Sequence, residues 1–343
     1  MPILSQGRVA EYQEGIGPDG VRVVERPRSA VAEGHVAIAM KAASLNHLDL
    51  FMAQGLQPVK PPVVICADGA GVVSESGSQS WRQGDEVVVF PTLSCGACSH
   101  CRAGQEVLCA DFGIFGEHSD GAAAELVHVP ERMVFPKPAG LSWQEAAAFP
   151  LTFLTAYRML VTRAALEKGE TLLVVGAGAG VAAAAIAIGR ALGARVLATS
   201  RSADKRTRAE ALGAEATFET AAFSKPVREA TEGRGADVVF EHVGPATLDD
   251  SVKALAMGGR LVFCGSTSGV KAEFNMPRLF FKQATILGST MGNSGEFRGV
   301  LDLIQAGMRP AVDSVFPLAE VSAALARLDR GEQFGKIVLG ISE

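Results

Sequence analysis

Residues 172–201, LLVVGAGAGVAAAAIAIGRALGARVLATSR, leave the chain few folds to choose from. An apolar run ends in a cluster of glycines, an alanine-rich apolar run follows, and a second β-rich run closes the segment. Strand, tight turn, helix and strand in that order make one βαβ unit, whose crossover belongs to a parallel sheet. Thr171 to Gly189 has no charged residue and approaches the length of a membrane span. Gly176, Gly178 and Gly180 cut it into shorter pieces, so a buried strand and a packed helix account for it better. The alternation continues in ARVLATS with ADKRTRAEALG, in ADVVFEHVG with ATLDDSVKALAMGG, and in RLVFCGS. Strands this apolar, alternating with helices, predict a doubly wound parallel α/β sheet covered on both faces.

The first 130 residues are patterned differently. EGHVAIAMKAASLN, PPVVICADGAGVVSES, GDEVVVF and AAELVHVP are short β-rich runs separated by Gly, Pro and Ser. Helical patterning begins in SWQEAAAFPLTFLTAYRMLVTRAAL, with Ser142 as N-cap, Glu145 as its capping-box partner and Pro150 dividing the run. PLAEVSAALARLDRGEQFG predicts an amphipathic helix, and KIVLGI a closing strand. At 343 residues, two domains are expected. The β-rich domain takes 1–135 and 290–343, and the doubly wound α/β domain takes 136–289. Hydrophobic content of 48% with 20% charged residues belongs to a folded, soluble chain. The net charge of −5, with no basic run, argues against a nucleic-acid or anionic-membrane partner. MPILSQGRVAEYQE lacks a basic region followed by an apolar stretch, so no secretory signal is read and a cytoplasmic location is expected. Cysteines there are reduced ligands rather than disulfides.

Gly178, Ala179, Gly180 and Val181 fit the relaxed dinucleotide fingerprint, with alanine in the last glycine position. Such a turn lets backbone approach a pyrophosphate, whose charge then lies at a helix N-terminus. An NAD site usually carries Asp or Glu at the end of the second strand, about 20 residues beyond the glycines. This chain has Thr199, Ser200 and Arg201 there, with Lys205 one turn on. An Arg fork with hydroxyl donors holds a 2′-phosphate that a carboxylate would repel, so NADP(H) is the expected cofactor. A solvated arginine with NAD tolerated is the alternative. Val243 and Gly244, and Cys264, Gly265 and Ser266, end two further strands and should line the same crevice.

Cys95, Cys98, Cys101 and Cys109 follow the spacing C-x2-C-x2-C-x7-C. Four thiolates around zinc make a closed tetrahedral site with no position for water or substrate, so a structural zinc, one per chain, is expected. Iron–sulfur ligation shares the C-x2-C-x2-C start but not the position of the fourth cysteine.

The β-rich N-terminal part, the cysteine lobe, the dinucleotide unit and the terminal FGKIVL together resemble the medium-chain dehydrogenase/reductase superfamily. LNHLDLF, ADGAGVV, GDEVVV and AAAFPLTFLTAYRML are similar to its quinone-oxidoreductase-like branch, often labelled zinc-type alcohol dehydrogenase. The resemblance implies a Rossmann domain beside a GroES-like domain carrying the zinc lobe, and a homodimer or homotetramer built through the dinucleotide domain. QATILGST is a candidate edge strand for that purpose.

Zinc alcohol dehydrogenases of this superfamily hold a second, catalytic zinc on three side chains. Matching places Asn46, Ala67 and Leu151 at those positions, and Leu48 where a proton-relaying hydroxyl would stand. An amide, a methyl and an isobutyl group do not assemble a zinc site. An unorthodox metal site would have to draw on His47, Cys66, Asp68 and His118, with His47 and Asp49 sharing one face of an expected strand. By resemblance Asn46 lies beside the nicotinamide, Thr155 near its end, and Lys336 within reach of the cofactor. Plainer readings are an Asn tying down a turn, a Thr bonded back along its helix, and a solvated lysine. Without a Lewis acid, a quinone or an α,β-unsaturated carbonyl is an easier hydride acceptor than a ketone. Some enoyl-reductase relatives carry a Tyr two residues after the Asp matching Asp49, where this chain has Phe51. His47, Asp68 or water are left as proton sources. Two rivals stand beside NADPH-dependent reduction of a small carbonyl or quinone: a zinc alcohol dehydrogenase with unusual ligands, and a non-catalytic NADPH-binding protein.

Overall fold

The computed structural model describes residues 6–13, 17–57 and 59–342. Of the N-terminal stretch read for a leader, residues 1–5 and 14 lie outside these. Contacts divide the described residues into two units. The first comprises Met1–Leu151, Asn293–Leu301 and Ala311–Glu343; the second comprises Thr152–Gly292 and Asp302–Pro310. No helix among the described residues is long and apolar enough to cross a membrane.

Among the described residues, ten strands of the first unit precede the second: β1 (Gln6–Tyr12), β2 (Val21–Pro27), β3 (His35–Ser44), β4 (Val63–Val64), β5 (Asp68–Ser76), β6 (Glu86–Val89), β7 (Thr92–Leu93), β8 (Gly113–Ile114), β9 (Leu126–Pro130) and β10 (Val134–Pro136). The second unit supplies β11 (Thr171–Val174), β12 (Arg195–Thr199), β13 (Ala216–Phe218), β14 (Ala236–Glu241), β15 (Leu255–Phe263) and β16 (Thr285–Gly288). The chain then returns to the first unit for β17 (Val312–Pro317) and β18 (Lys336–Gly340).

The main sheet of the first unit runs β10-β6-β5-β3-β18-β17, with β9 added on β3. Its register sets Ser44 opposite both Asp68 and Val338, which draws the ends of β3, β5 and β18 together. Ile38, Met40, Leu45, Met52 and Ile65 are fully buried in the core beneath, each worth about 1.5–3 kcal/mol of apolar burial. Among the described residues three α-helices lie before Pro150: α1 (His47–Ala53), α2 (Ser99–Arg102) and α3 (Trp143–Ala148). The strand expected through His47 and Asp49 is instead the first turn of α1. Asn46 has extended N-cap dihedrals, and the Asp49 carboxylate accepts its N–H at 2.7 Å, so a local cap wins over β patterning.

In α3 the expected capping box forms: Ser142 Oγ accepts from Glu145 N at 3.2 Å, and Glu145 accepts from Ser142 N at 2.8 Å. Pro150 divides the run, and α4 (Pro150–Tyr157) follows, continuing as a π-helical segment over Arg158–Arg163. The second unit then places α5 (Gly180–Ala191), α6 (Ala203–Leu212), α7 (Ser224–Ala230), α8 (Pro245–Ala254) and α9 (Met276–Lys282) between parallel strands. The strand order is β13-β12-β11-β14-β15-β16, every neighbouring pair parallel. Helices α5 and α6 pack together, as do α7 and α8. That order reverses direction between β11 and β14, which makes the ends of those two strands the ligand-binding crevice of such a sheet. Two helices complete the chain, α10 (Ser294–Gln305) and α11 (Val321–Asp329).

Candidate active site and cysteine lobe

Four buried polar side chains converge where β3, β5 and β18 meet. Asn46 follows β3, Asp68 opens β5 and Lys336 opens β18. The Asp68 carboxylate is wholly buried and accepts from Lys336 Nζ at 2.8 Å, Asn46 Nδ2 at 2.9 Å and the Leu151 N–H at 2.6 Å. Lys336 Nζ also donates to Asn46 Oδ1, so ammonium, amide and carboxylate form a closed triangle. Ser44 Oγ, 3.3 Å from Asp68, donates to the Ala147 carbonyl at 2.8 Å. Lys336 is 3% exposed, which replaces the solvated lysine of the plainer reading with a buried ion pair. Asp49 lies one layer behind, accepting from Asn46 N and from Cys66 N at 2.8 Å. Burial pushes its carboxyl up to about 6, against the pull of those two amides and of Lys336.

The cysteine lobe is a separate feature of the same unit. The four Sγ atoms of Cys95, Cys98, Cys101 and Cys109 lie within 4.8 Å of one another. Cys98–Cys101 and Cys95–Cys109 are 3.5 Å apart and Cys95–Cys101 3.8 Å. Tetrahedral zinc with bonds of about 2.3 Å sets sulfurs about 3.8 Å apart, so the donor set fits that ion. The backbone amides of Ala97 and Cys98 point at Cys95 Sγ and hold that thiol down at about 6. Glu106 ties the lobe to Ser294 at 2.6 Å, and Val107 N to Asn293 at 3.1 Å. Among the described residues this is the only group of three or more His, Cys, Asp or Glu donors gathered tightly enough for a metal. His118 instead accepts from Ile114 N at 3.1 Å on an exposed turn, and the Cys66 thiol is buried and held well above its ordinary pKa by burial.

In the second unit the turn 175–179 links β11 to α5. Ala177 N donates to the Thr199 carbonyl at 2.7 Å and Gly176 N to Thr199 Oγ1 at 3.2 Å, which joins the turn to the end of β12. A Cβ on Gly178 would lie 2.8 Å from Lys205 Nζ, so only glycine lets the ammonium lie over the turn. Ser202 caps α6, and Ser200 Oγ accepts from Ser202 N at 3.3 Å. Arg201 is exposed beside them. Gly178 to Val181, Thr199 to Arg201 and Lys205 are thus brought together. Val243 and Gly244 follow β14 and meet the 264–269 loop: Ser268 N donates to the Val243 carbonyl at 2.8 Å, and Ser266 lies against Gly244. Gly265 packs on the His242 carbonyl, and burial pushes the Cys264 thiol up to about 12. Thr155, in α4, is buried with no hydrogen-bond partner for Oγ1 among the described residues, so the bond back along the helix of the plainer reading is not made. His242, passed over in the sequence, stands at the end of β14 against this turn.

Residues 32–139 match the alcohol dehydrogenase GroES-like domain and residues 180–306 the zinc-binding dehydrogenase family. The chain is 32% identical over 321 residues to an NAD-dependent alcohol dehydrogenase of Saccharolobus solfataricus, covering 89% of this chain and 92% of that one. It belongs to the medium-chain dehydrogenase/reductase superfamily. Within that superfamily its affinity is with the zinc-type, alcohol dehydrogenase-like branch, whose GroES-like and Rossmann domains correspond to the two units. An acryloyl-coenzyme A reductase of Metallosphaera sedula is 31% identical over 326 residues, covering 93% and 95% of the two chains. A crystal structure of an NAD-dependent alcohol dehydrogenase superposes with TM-score 0.94 at 40% identity, over 98% of this chain and 100% of that one. A 2-octenoyl-CoA carboxylase reductase in complex with NADP and 2-octenoyl-CoA superposes with TM-score 0.90 at 27% identity, over 98% and 88%. The chain is thus an oxidoreductase of this superfamily, with a site for a nicotinamide cofactor. Its Asn46, Ala67 and Leu151, at the matched places of the superfamily's catalytic zinc ligands, do not fit that ion: one amide is already bonded to Asp68 and Lys336, and the other two side chains are hydrocarbon.

Proposed function

We propose that this chain is an NADP(H)-dependent reductase that delivers hydride to an α,β-unsaturated carbonyl compound, or to a quinone, without a catalytic metal. The observation that carries the reading is the Asn46–Asp68–Lys336 triangle at the matched zinc position. A fixed ammonium on Asn46 Oδ1 polarises the amide and strengthens its remaining N–H as a donor. That N–H is suited to a carbonyl oxygen on which negative charge develops as hydride reaches the β-carbon. Thr155, whose hydroxyl has no partner among the described residues, is the second catalytic residue we propose. The relatives named for acryloyl-CoA and 2-octenoyl-CoA favour a conjugated thioester over a quinone as the acceptor.

When bound, the dinucleotide supplies the hydride. Gly178, Ala179, Gly180 and Val181 present backbone to its pyrophosphate, while Ser200, Arg201 and Lys205 gather hydroxyl and cationic donors suited to a 2′-phosphate. Val243, Gly244, Cys264, Gly265 and Ser266 border the crevice, and Lys336 acts through Asn46. The cysteine lobe holds one structural zinc. A second copy of the chain pairs along β16, whose outer edge has no neighbouring strand among the described residues.

Oxidation of an alcohol is the second reading, favoured by the name of the Saccharolobus solfataricus relative. One experiment decides. Purified protein is assayed by nicotinamide absorbance with crotonyl-CoA, a simple quinone and primary and secondary alcohols, each with NADP(H) and NAD(H), and its zinc is counted. Turnover of crotonyl-CoA with NADPH at one zinc per chain is expected, with Asn46→Ala lowering kcat about 100-fold. Alcohol turnover with two zinc ions per chain would replace the proposal with the second reading.

A further inference from the structure

The crevice of the second unit's sheet lies at the ends of β11 and β14, and two residues meet there. Gly176 follows β11 with φ +81°, and His242 follows β14. A Cβ at Gly176 would stand 3.1 Å from His242 Nε2 and 3.0 Å from Val243 Cγ2. The imidazole therefore lies directly on the turn that must admit a dinucleotide. It is 8% exposed, yet Nε2 has no hydrogen-bond partner among the described residues. A ring nitrogen shut away from water without a partner is rare in a native fold, and at a ligand crevice its partner is most simply the ligand.

The charged and titratable neighbours of the ring leave Nε2 available. Glu241, immediately before it, is saturated by Val243 N at 2.7 Å, Gly244 N at 3.2 Å, Thr247 Oγ1 at 2.9 Å and Ser251 Oγ at 2.6 Å. Cys264, on the next strand end, is a protonated thiol. Lys205, from α6, reaches the same turn at Gly178. Burial holds the imidazole below its ordinary pKa, while Glu241 and the nearby backbone of Gly176 and Val175 pull the other way. In its neutral form the imidazole carries one N–H, which Nε2 can hold and give.

We propose that His242 is a cofactor-binding residue whose Nε2–H donates to a pyrophosphate oxygen of the bound dinucleotide, opposite Lys205 across the glycine turn. This rests on the reading that a nicotinamide dinucleotide occupies that turn. It separates the role of His242 from that of Arg201 and Ser200: the histidine serves the phosphates common to NAD and NADP, the other pair the 2′ position.

Isothermal titration calorimetry with NADPH, ADP-ribose and adenosine 2′-monophosphate tests it on wild type, His242→Val and His242→Gln. ADP-ribose keeps the pyrophosphate without the nicotinamide, and adenosine 2′-monophosphate has no pyrophosphate. His242→Val should weaken NADPH and ADP-ribose about tenfold and leave adenosine 2′-monophosphate unchanged. His242→Gln, which keeps a donor at a similar reach, should stay within about threefold of wild type. Wild-type affinity of His242→Val for NADPH, or an equal loss for all three ligands, overturns the assignment. If wild type binds neither NADPH nor ADP-ribose, the dinucleotide reading itself fails. Should His242→Val not fold, ring-nitrogen NMR of wild type labelled in its six histidines decides. ADP-ribose must then shift the one resonance that His242→Gln lacks, and no such shift overturns the proposal.

Discussion

Asp49 and Lys336 show what burial does to single charges in this chain. The Asp49 carboxyl, pushed up by burial to about 6 from an ordinary 3.8, binds its proton more tightly in the folded than in the unfolded chain. Its contribution to stability is therefore full below about pH 4 and is lost as pH rises to about 6, a change of about 3 kcal/mol. Urea unfolding of wild type and Asp49→Asn between those limits should diverge by that amount, and parallel profiles would refute the assignment. Lys336 and Asp68 form a wholly enclosed ion pair. Lys336→Met leaves the carboxylate uncompensated and should cost about 3–5 kcal/mol, whereas adding Asp68→Leu should recover most of it. A second substitution that recovers nothing would show that packing, not charge, sets the loss. At this scale the sequence was partly legible. Asn46 and Lys336 stood out by resemblance, but their meeting on Asp68 depends on a register that joins residues 290 positions apart in the chain. His242 was passed over because nothing in FEHVG separates a crevice histidine from a core one.

Secondary structure was read most securely where local chemistry and pattern agree. Ser142, Glu145 and Pro150 fixed the boundaries of α3 and α4, and the glycine cluster fixed the step from β11 to α5. It failed at α1, where Asn46 and Asp49 cap a helix within a β-rich region too short to show helical periodicity. The π-helical run after α4 has no sequence signature that pattern reading detects. The cysteine lobe was legible from spacing alone, because zinc geometry demands little of the surrounding fold. Loss of the zinc proposed for it should matter to stability before chemistry. Cys98→Ser should lower bound zinc from one per chain towards none and lower the Tm by several degrees, while NADPH affinity holds. Loss of NADPH binding in step with zinc would assign the metal a wider role.

Across the whole molecule, α/β alternation read from 171 onward gave the strand order its type, and the parallel six-stranded sheet follows. The domain limit was less legible. The sequence places it near 135, whereas α3 packs on β3, β5 and β18 of the first unit, because its alanine face covers a sheet that sequence patterning cannot locate. The edge of β16, unpaired among the described residues, and the exposed Met276, Phe280 and Phe281 of α9 belong to the second unit. Substituting Ile286→Pro should convert a dimer to monomer in analytical ultracentrifugation, since proline removes a ladder donor. A wild-type monomer at micromolar concentration would refute pairing at this edge. The strand that opens with Lys336 is made long after the one that opens with Asp68, whose carboxylate it neutralises. During synthesis the first unit waits, with that anion unmatched, until the whole of the second unit has been made. The buried Asn46–Asp68–Lys336 triangle of the first unit is thereby completed only after the second unit has been synthesised.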